Sequence, residues 1–371
     1  MSGGVDSSVA AALLQAEGHT VVGVTMQLWP EEDASAAERH GGCCAMGAVR
    51  DARRVAELLG IPYYVFTMRE EFQREVVERF VAGYAAGRTP NPCVACNQHI
   101  KFRVLLDKAR RMGAHALATG HHARVASEPD GWSLLRGVDG RKDQSYVLHP
   151  VAHAELPRLR FPVGTLSKDE VRAYARRAGL PTWDKPDSQE ICFVGEEGYA
   201  EVVARARPEA ARPGPIVDLA GTVLGQHRGL IHYTIGQRRG LGLCGERPLY
   251  VVALDTRANA LVVAPAEHTG CLGCEVPSAN WLVTVPPRAG TRVTAKVRSG
   301  PDEHGAVVVA GPEGGFRVRF TAPVRAVTPG QACVLYSGDR VLGGGEISRV
   351  ERAQDPTPWD LEPLGAAVLP D

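Results

Sequence analysis

Nine cysteines lie along this chain of 371 residues, and two pairs have the C-x-x-C spacing: Cys93 with Cys96, and Cys271 with Cys274. This spacing suits a zinc site, a pair of small buried residues, or redox and sulfur chemistry, and spacing alone leaves all three open. The odd cysteine count, with an N-terminal sequence that lacks the features of a signal peptide, predicts reduced thiols in the cytoplasm.

The Cys93/Cys96 pair lies in a string that favours thiol chemistry, GRTPNPCVACNQHIKF at residues 87–102. Its Asn-Pro step predicts a turn before Cys93, and we expect Cys96 at or near the start of a helix. That helix also carries two cations, Lys101 and Arg103. A helix N-terminus and nearby cations lower the pKa of a thiol, and the thiolate is the nucleophile. Another cysteine, Cys192, stands in the string DSQEICFVGE at residues 187–196.

A glycine- and serine-rich string opens the chain and precedes an Ala/Leu-rich helix. It consists of Ser2, Gly3, Gly4, Val5, Asp6, Ser7 and Ser8. Two glycines let the backbone approach an anion closely, and the helix that follows directs its N–H groups at that anion. The string has no lysine after it, so it is not a Walker A loop. It predicts a phosphate-binding loop of another kind.

Two patterns of elements must position these residues. Strands at 21–26, 63–66 and 114–119 alternate with helices at 7–17, 48–59 and 70–86, which predicts a parallel sheet with helices on both faces. A capping box at residues 167–170 opens a further helix. From about residue 249, short β-like runs separated by turns predict a β-barrel or sandwich.

Composition bounds the class of protein. Hydrophobic residues make up 44% and charged residues 23%, and no apolar run is long enough to span a bilayer. We therefore expect a soluble protein with no membrane partner. The 42 basic and 42 acidic residues balance, which does not suggest nucleic-acid binding. Residues 101–124, however, hold six basic residues and one acidic residue, and such a segregated stripe can bind a phosphate backbone.

Taken together, these strings closely resemble the bacterial tRNA-specific 2-thiouridylase family of the PP-loop ATP pyrophosphatase superfamily. The likeness extends to about residue 350 and includes LATGHHAR (117–124), YTIGQRRGLG (233–242) and AVTPGQACVLY (326–336). It implies a Rossmann-like PP-loop domain at 1–206, a small central α+β domain at 207–275, a tRNA-binding C-terminal β-barrel at 276–351 and a mobile tail at 352–371.

The superfamily also has a buried strand that runs into the loop, whereas this sequence starts at Met1. We expect that first strand to be missing. The chain should then be poorly stable unless another segment fills the gap, because neighbouring strands lose hydrogen-bond partners.

The resemblance implies an ATP-dependent sulfurtransferase. ATP with Mg²⁺ adenylates the C2 oxygen of the wobble uridine in tRNAs such as those for Lys, Glu and Gln. A persulfide on Cys192, loaded by a cysteine desulfurase or sulfur-relay protein, supplies sulfur to C2. Cys96 frees the sulfur and leaves a Cys96–Cys192 disulfide, which a reductant resets.

Further site residues follow from the resemblance position by position. ATP would contact residues 2–8 together with Met26 and Gly120, and the target base would contact Asn91, Pro92 and Cys93. The tRNA would contact His121, Lys142, Asp143, Gln144, Arg298, Ser299 and Gln331. Many relatives have Asp at the position of Cys93 and an aromatic residue at that of Ser299, so base orientation and stacking should be weaker here. Cys43, Cys44, Cys271 and Cys274 match no catalytic position, and we expect them to be structural.

Three alternatives remain open. Cys93, Cys96 and Cys192 could hold a [4Fe-4S] cluster with one open iron. The chain could be another PP-loop ATP-dependent ligase or amidating enzyme, which would not need the Cys96/Cys192 pair. It could also be a tRNA-binding protein with a degenerate nucleotide site.

Overall fold

A computed structural model describes residues 1–28, 46–187, 191–195, 197–245 and 247–353. Cys43, Cys44 and nearly all of the predicted tail at 352–371 lie outside these ranges.

The N-terminal part is built from parallel strand pairs and helices, as the alternating pattern predicts. Strand β1 (Gly23–Gln27) pairs with β2 (Tyr63–Thr67), and β3 (Leu117–Ala118) pairs with β6 (Leu159–Arg160). Within the described residues these are two separate sheets of two strands each. The helices of this part are α1 (Val5–Ala16), α2 (Met46–Leu59) and α6 (Lys168–Arg177).

The edge of β1 opposite β2 carries Met1. The Met1 amine donates to the Val24 carbonyl, and the Thr25 hydroxyl donates to the Met1 carbonyl over 2.6 Å. Met1 thus pairs with β1 through its backbone.

Two long helical segments pack beside this sheet. The first, α3, joins Arg69–Phe72, Gln73–Val77 and Glu78–Ala85, and it matches the helix expected at 70–86. The second, α4, joins Pro92–Ala95, Cys96–Leu105 and Leu106–Arg111. In each segment the middle part is π-helix, a form that occurs frequently at functional sites.

The central part is a four-stranded sheet in the order β8-β7-β10-β9. Its strands are β7 (Gly214–Val217), β8 (Val223–His227), β9 (Leu249–Asp255) and β10 (Ala260–Pro265). The expectation that strands begin near residue 249 was therefore wrong for β7 and β8. These two strands are short and rich in Gly and Pro, so the β pattern in the sequence is weak. A helix α7 (Tyr199–Ala206) leads into this part.

The C-terminal strands form a sheet of ten strands that confirms the predicted β architecture. Its main path runs β18-β11-β15-β14-β13-β16-β17-β5-β4, and β12 pairs with β17. The strands are β11 (Gly270–Val276), β12 (Asn280–Trp281), β13 (Arg292–Lys296), β14 (His304–Val309), β15 (Phe316–Arg325), β16 (Ala332–Ser337), β17 (Arg340–Glu346) and β18 (Arg349–Arg352).

One hairpin from the N-terminal half joins this sheet. It consists of β4 (Ala123–Glu128) and β5 (Gly131–Arg136), and Leu135 of β5 pairs with Arg340 of β17. The chain after the hairpin forms the helical turn α5 (Ser145–Leu148). Through this pairing, the hairpin joins the N-terminal part of the protein to the C-terminal sheet by backbone hydrogen bonds.

No helix among the residues described above combines the length and the apolar character that a membrane crossing requires.

Candidate functional site

The glycine-serine string forms a tight loop that leads directly into α1. The Ser8 hydroxyl donates to the Gly4 carbonyl over 2.8 Å, and the Ser7 hydroxyl accepts from the Ser2 N–H at 3.1 Å. Gly3 has φ +68°, and a Cβ there would lie 2.3 Å from the Ala48 carbonyl oxygen. Only glycine fits this position, so the loop requires the residue type that the sequence supplies.

The ends of two strands flank this loop. A Cβ on Gly120 would lie 2.6 Å from the Ser7 nitrogen, so the turn after β3 packs directly on the loop backbone. Met26, near the end of β1, is half-buried against the apolar cluster described below. Both residues therefore lie at the carboxyl edge of parallel strands, where α/β folds bind ligands.

A buried lysine holds the carboxylate of the loop. Lys168, the first residue of α6, has a side chain only 8% exposed, and its Nζ donates to the two Asp6 oxygens over 2.7 and 2.8 Å. His122 Nε2 lies 3.3 Å from Asp6 Oδ1. Burial alone would raise the pKa of Asp6, but the hydrogen bonds from His122 and Lys168 outweigh it and lower that pKa. Asp6 is therefore an anion at neutral pH.

A second carboxylate, Asp187, belongs to the same cluster of charges. Asp187 contacts Lys142 at 2.8 Å, Lys168 at 2.8 Å and Arg172 at 3.1 Å. Burial raises the pKa of Asp187, but the hydrogen bonds and charges of Lys142 and Lys168 bring it down to about 2.

Sequence reasoning missed the roles of Lys168, Arg172 and Asp187. Lys168 stood out only as a neighbour of the capping-box residue Ser167, and the box itself is confirmed. An isolated lysine, arginine or aspartate carries no signal of a partner that is remote in sequence.

Asn91 and Pro92 start the helix that carries Cys96. The Asn91 side chain accepts from the Cys93 N–H at 3.0 Å, and Pro92 occupies the first helical turn. This is the favoured chemistry of a helix start, because the proline has no N–H to leave unpaired. Cys93 is exposed at the helix start, and Cys96 is half-buried and begins the π-helical stretch. The expectation that Cys96 lies near a helix N-terminus is confirmed.

Cys96 and Cys192 pack against the same apolar cluster, whose fully buried members include Phe72 and Phe80. Phe193, next to Cys192, meets these two rings edge-on, with centroids at 5.9 and 5.0 Å. Aromatic contacts of this geometry stabilise the position of the Cys192 segment. The fold therefore brings two half-buried thiols, remote in sequence, to one apolar cluster.

The iron–sulfur alternative needs three thiolates in one place. Within the described ranges, no three His, Cys, Asp or Glu side chains are arranged to hold a metal ion. The iron–sulfur alternative therefore stays a prediction.

His121, which the resemblance assigns to a tRNA contact, is buried in this structure. It is 8% exposed and lies between the rings of Phe102 and Phe161. Its Nδ1 is 2.6 Å from the Thr119 hydroxyl and its Nε2 is 3.4 Å from Lys101 Nζ. Burial, with the positive charge of Lys101, lowers the pKa of His121 well below its usual value. The imidazole is neutral and serves an internal role.

Lys142, Asp143 and Gln144, which the resemblance also assigns to tRNA contacts, each contact other parts of the protein. Lys142 pairs with Asp187, and the Gln144 side chain accepts from the His122 N–H at 2.9 Å. The Asp143 carboxylate is 2% exposed and lies 3.8 Å from Lys296 of the β-barrel. The Asp143 carboxylate is thus held inside the protein, whereas Gln144 stays exposed, and the turn joins the region of the phosphate loop to the barrel.

The barrel also supports the Cys93 turn. Gln331 Nε2 donates to the Thr89 carbonyl over 2.6 Å, and a Cβ on Gly330, whose φ is +92°, would lie 2.7 Å from the Thr89 nitrogen. Gln331 thus orders the chain just before Asn91. Arg298 and Ser299 are exposed on the barrel, and Arg298 donates to the Arg325 carbonyl over 3.0 Å.

Carboxylates neutralise part of the basic stripe at 101–124. Three of its arginines form ion pairs at 2.6 to 3.4 Å: Arg110 with Glu155, Arg111 with Asp107 and Arg124 with Asp339. The expected concentration of positive charge is therefore weaker than the sequence count suggests.

Three family models match successive parts of the chain. They are the tRNA methyl transferase HUP domain at residues 1–196, the tRNA methyl transferase PRC-barrel domain at 201–265 and the aminomethyltransferase beta-barrel domain at 272–347. The fold and the loop thus define a Rossmann-like protein of the HUP class, followed by two β domains.

Relatives with curated names identify the family within this class. The chain is 50% identical over 354 residues to the tRNA-specific 2-thiouridylase MnmA of Chloroflexus aurantiacus, which covers 95% of this chain and 98% of that protein. It is 48% identical over 354 residues to the protein of the same name from Symbiobacterium thermophilum, covering 94% and 91%. The protein of that name from Methylobacterium radiotolerans is 48% identical over 358 residues, covering 95% and 93%. The chain belongs to the tRNA-specific 2-thiouridylase family.

Proposed function

We propose that this chain is a tRNA-uridine 2-sulfurtransferase that converts a wobble uridine to 2-thiouridine at the expense of ATP. The observation that carries the proposal is that Cys96 and Cys192, two half-buried thiols remote in sequence, pack against the same apolar cluster. Asp187, which precedes Cys192 by five positions in the sequence, shares the Lys168 ammonium with Asp6 of the phosphate loop. A sulfur carrier and a resolving thiol must reach each other, and the activation step must take place nearby.

In the first step, residues 2–8 bind ATP. The loop N–H groups and serine hydroxyls at the start of α1 are donors suited to phosphate oxygens. Asp6 offers the carboxylate oxygens that Mg²⁺ prefers, and the ion would screen the phosphate charge. The C2 oxygen of the uracil bonds to the α-phosphorus and pyrophosphate leaves. Met26 and Gly120 would bound the adenosine side.

In the second step, sulfur replaces the activated oxygen. The terminal sulfur of a Cys192 persulfide bonds to C2, and the C2–O bond breaks with release of AMP. The Cys96 thiolate then attacks Cys192 Sγ and breaks its bond to the transferred sulfur. That sulfur keeps the electron pair and becomes the thiocarbonyl of 2-thiouridine. The products include a Cys96–Cys192 disulfide, which a two-electron reductant must reset.

The remaining surfaces would recognise RNA. Asn91, Pro92 and the exposed Cys93 form the turn best placed to meet a flipped-out base, and a flipped base is how enzymes reach atoms inside a stack. Arg298 and Ser299 are exposed on the barrel and would contact the phosphate backbone. A cysteine desulfurase or sulfur-relay protein of the cytoplasm would load Cys192.

Nucleoside analysis tests this function. Unmodified tRNA is incubated with the protein, ATP, Mg²⁺ and a persulfide source, then digested and analysed for 2-thiouridine by mass spectrometry. We expect 2-thiouridine together with stoichiometric AMP. Formation of AMP without 2-thiouridine would favour a different acceptor, as in the ligase alternative. Binding of tRNA without ATP consumption would favour the degenerate-site alternative.

A further inference from the structure

The string YTIGQRRGLG at residues 233–242 has no role in the steps proposed above, yet the structure holds its backbone in place. The Val251 N–H of β9 donates to the Gln237 carbonyl over 2.9 Å. The Gln237 side chain accepts from the Thr234 N–H at 3.0 Å and donates to the Arg239 carbonyl over 3.0 Å. Residues 234–239 therefore form an ordered loop on the central sheet.

This loop presents two adjacent arginines to solvent, Arg238 and Arg239. Among the residues that the structure describes, neither arginine pairs with a carboxylate. Leu241 is 6% exposed, and residues 233–242, all of them described, expose no large apolar side chain. A protein interface usually has apolar or aromatic anchors at its centre, so this surface suits a polyanion better than a protein.

Contacts with the barrel place the loop near the turn that precedes Cys93. A Cβ on Gly236 would lie 2.4 Å from the Ala326 Cβ, so the loop packs directly on the barrel there. Gln331, five residues further along, donates to the Thr89 carbonyl over 2.6 Å. Because five residues span at most about 18 Å, Gly236 and Thr89 pack on one short stretch of the barrel.

A second contact joins the central sheet to the same turn. A Cβ on Gly87 would lie 2.8 Å from Thr256 Cγ2, in the turn that follows β9. Strand β9 thus leads to the segment at 87–89 and, through Val251, also holds the arginine loop. Packing therefore fixes where the two arginines lie relative to the start of the Cys96 helix.

We propose that Arg238 and Arg239 form a phosphate-binding site for the tRNA strand that presents its base to the Asn91–Cys93 turn. The inference rests on the proposed function, which supplies the RNA. Guanidinium groups bind phosphate oxygens in a bidentate manner. Phosphate contacts position a nucleic acid without reading its sequence, and here they would hold the strand while the base is turned out of the stack.

The pairing of the other arginines favours this position. Arg110, Arg111 and Arg124 of the basic stripe already contact carboxylates, and RNA must compete with those carboxylates for them. Arg238 and Arg239 can bind phosphate without breaking an ion pair of the described residues. Their contribution to RNA affinity should therefore be larger than that of the stripe.

Salt-dependent tRNA binding tests the site. The dissociation constant of an unmodified tRNA with a wobble uridine is measured by filter binding between about 0.05 and 0.3 M salt, for the wild type and for Arg238→Gln combined with Arg239→Gln. We expect the double variant to bind about tenfold more weakly near 0.15 M salt. The slope of log Kd against log salt should fall by about 1.4, since each contact to a single strand contributes about 0.7. In turnover, KM for tRNA should rise while kcat stays near the wild-type value.

Two further sets of variants separate phosphate contact from other causes. Arg54→Gln removes one exposed arginine from α2 and should leave both the affinity and the slope unchanged, whereas Arg238→Gln and Arg239→Gln should each lower the slope by about 0.7. Arg238→Lys combined with Arg239→Lys keeps the charge and should restore the slope, with part of the affinity lost because an ammonium cannot bind in a bidentate manner.

Unchanged tRNA affinity and slope in the double variant, beside a wild type that binds tRNA and forms 2-thiouridine, would overturn the site and leave the proposed function intact. An equal loss in Arg54→Gln would also overturn it, because the effect would then follow overall charge. Slower loading by a persulfide donor with unchanged tRNA binding would make the loop a protein-docking surface instead. A wild type that binds no tRNA would overturn both the site and the proposed function. The single variants decide the matter if the double variant does not fold.

Discussion

Two groups of cysteines in this molecule each contain a pair with the C-x-x-C spacing, but the groups differ in exposure and in the element that carries them. Cys93 and Cys96 lie at a helix start, the first exposed and the second half-buried, and Cys96 shares an apolar cluster with Cys192. Cys271, Cys274 and Cys333 lie in the barrel core with exposures of 2%, 0% and 0%. Spacing of thiols therefore says little about chemistry until the element that carries them is known.

The backbone explains how the second pair comes to be buried. In a regular strand, residues three apart point to opposite faces, so a C-x-x-C pair would have one thiol outside. The register of β11 shifts between Cys271 and Gly273, and this bulge turns both Cys271 and Cys274 into the core. Burial raises the pKa of the Cys271 thiol. Two causes raise the pKa of Cys274 well above its usual value: the hydrogen bond with Cys333 has the larger effect, and burial adds to it.

The largest expected difference between the two groups of cysteines is in the rate of 2-thiouridine formation. Cys192→Ser should lower the rate of 2-thiouridine formation by about a thousandfold or more, because an alcohol cannot carry the persulfide sulfur. Cys333→Ser should change that rate little per folded molecule. Both are measured by nucleoside analysis under the same conditions, after folding is checked by circular dichroism. Full activity in Cys192→Ser would remove the sulfur-transfer role and favour the amidating or ligating alternative.

Alkylation of the native protein should separate the groups by reactivity. Cys93 and Cys192 should react with iodoacetamide about a hundred times faster than Cys271 and Cys274, because only the first two present sulfur to reagent without unfolding. Peptide mass spectrometry over time gives each rate, and labelling in denaturant gives the reference in which all thiols are equal. Equal rates in the native state would show that burial in the barrel does not protect its thiols.

The barrel cysteines should matter more for stability than for activity. Cys274→Ser should lower the free energy of unfolding by about 1–3 kcal/mol, because it places a hydroxyl in an apolar core. Cys244→Ser, at an exposed position, should change it by less than about 0.5 kcal/mol. Urea denaturation followed by fluorescence checks both. A stability loss in Cys244→Ser as large as that in Cys274→Ser would show that burial is not the cause.

The smallest effect is a pH dependence of barrel stability. The pKa values of Cys271 and Cys274 are raised in the folded state, because burial disfavours the Cys271 thiolate, and the hydrogen bond with Cys333 together with burial disfavours the Cys274 thiolate. The contribution of these thiols to the free energy of unfolding is therefore fully present below the pKa of an unfolded cysteine, about 8.5, and it is lost as the pH rises above that value. The slope should reach at most about 1.4 kcal/mol per pH unit for each thiol. Denaturation series between pH 8 and 9.5 should show this decline, and Cys271→Ala combined with Cys274→Ala should flatten it. An unchanged slope in the double variant would assign the decline to other groups.

Sequence reasoning succeeded where the chemistry is local. The glycines of the loop, the Asn-Pro helix start and the alternation of elements act within a few residues, so their patterns are visible in the sequence. It failed where partners are remote: Lys168 with Asp6, Gln331 with Thr89, and the β4–β5 hairpin with β17 join residues far apart in the chain. The position of His121 between Phe102 and Phe161 was likewise not predictable, because it depends on packing that no single segment encodes.

The contrast between the two cysteine groups is tested most directly by a single turnover without reductant. The protein is loaded with one equivalent of persulfide, mixed with ATP, Mg²⁺ and tRNA, quenched with an alkylating agent, and mapped for disulfides by mass spectrometry. The account predicts one Cys96–Cys192 disulfide for each 2-thiouridine formed, with Cys271, Cys274 and Cys333 recovered as thiols after unfolding. Formation of 2-thiouridine with Cys96 and Cys192 both recovered as alkylated thiols would contradict it.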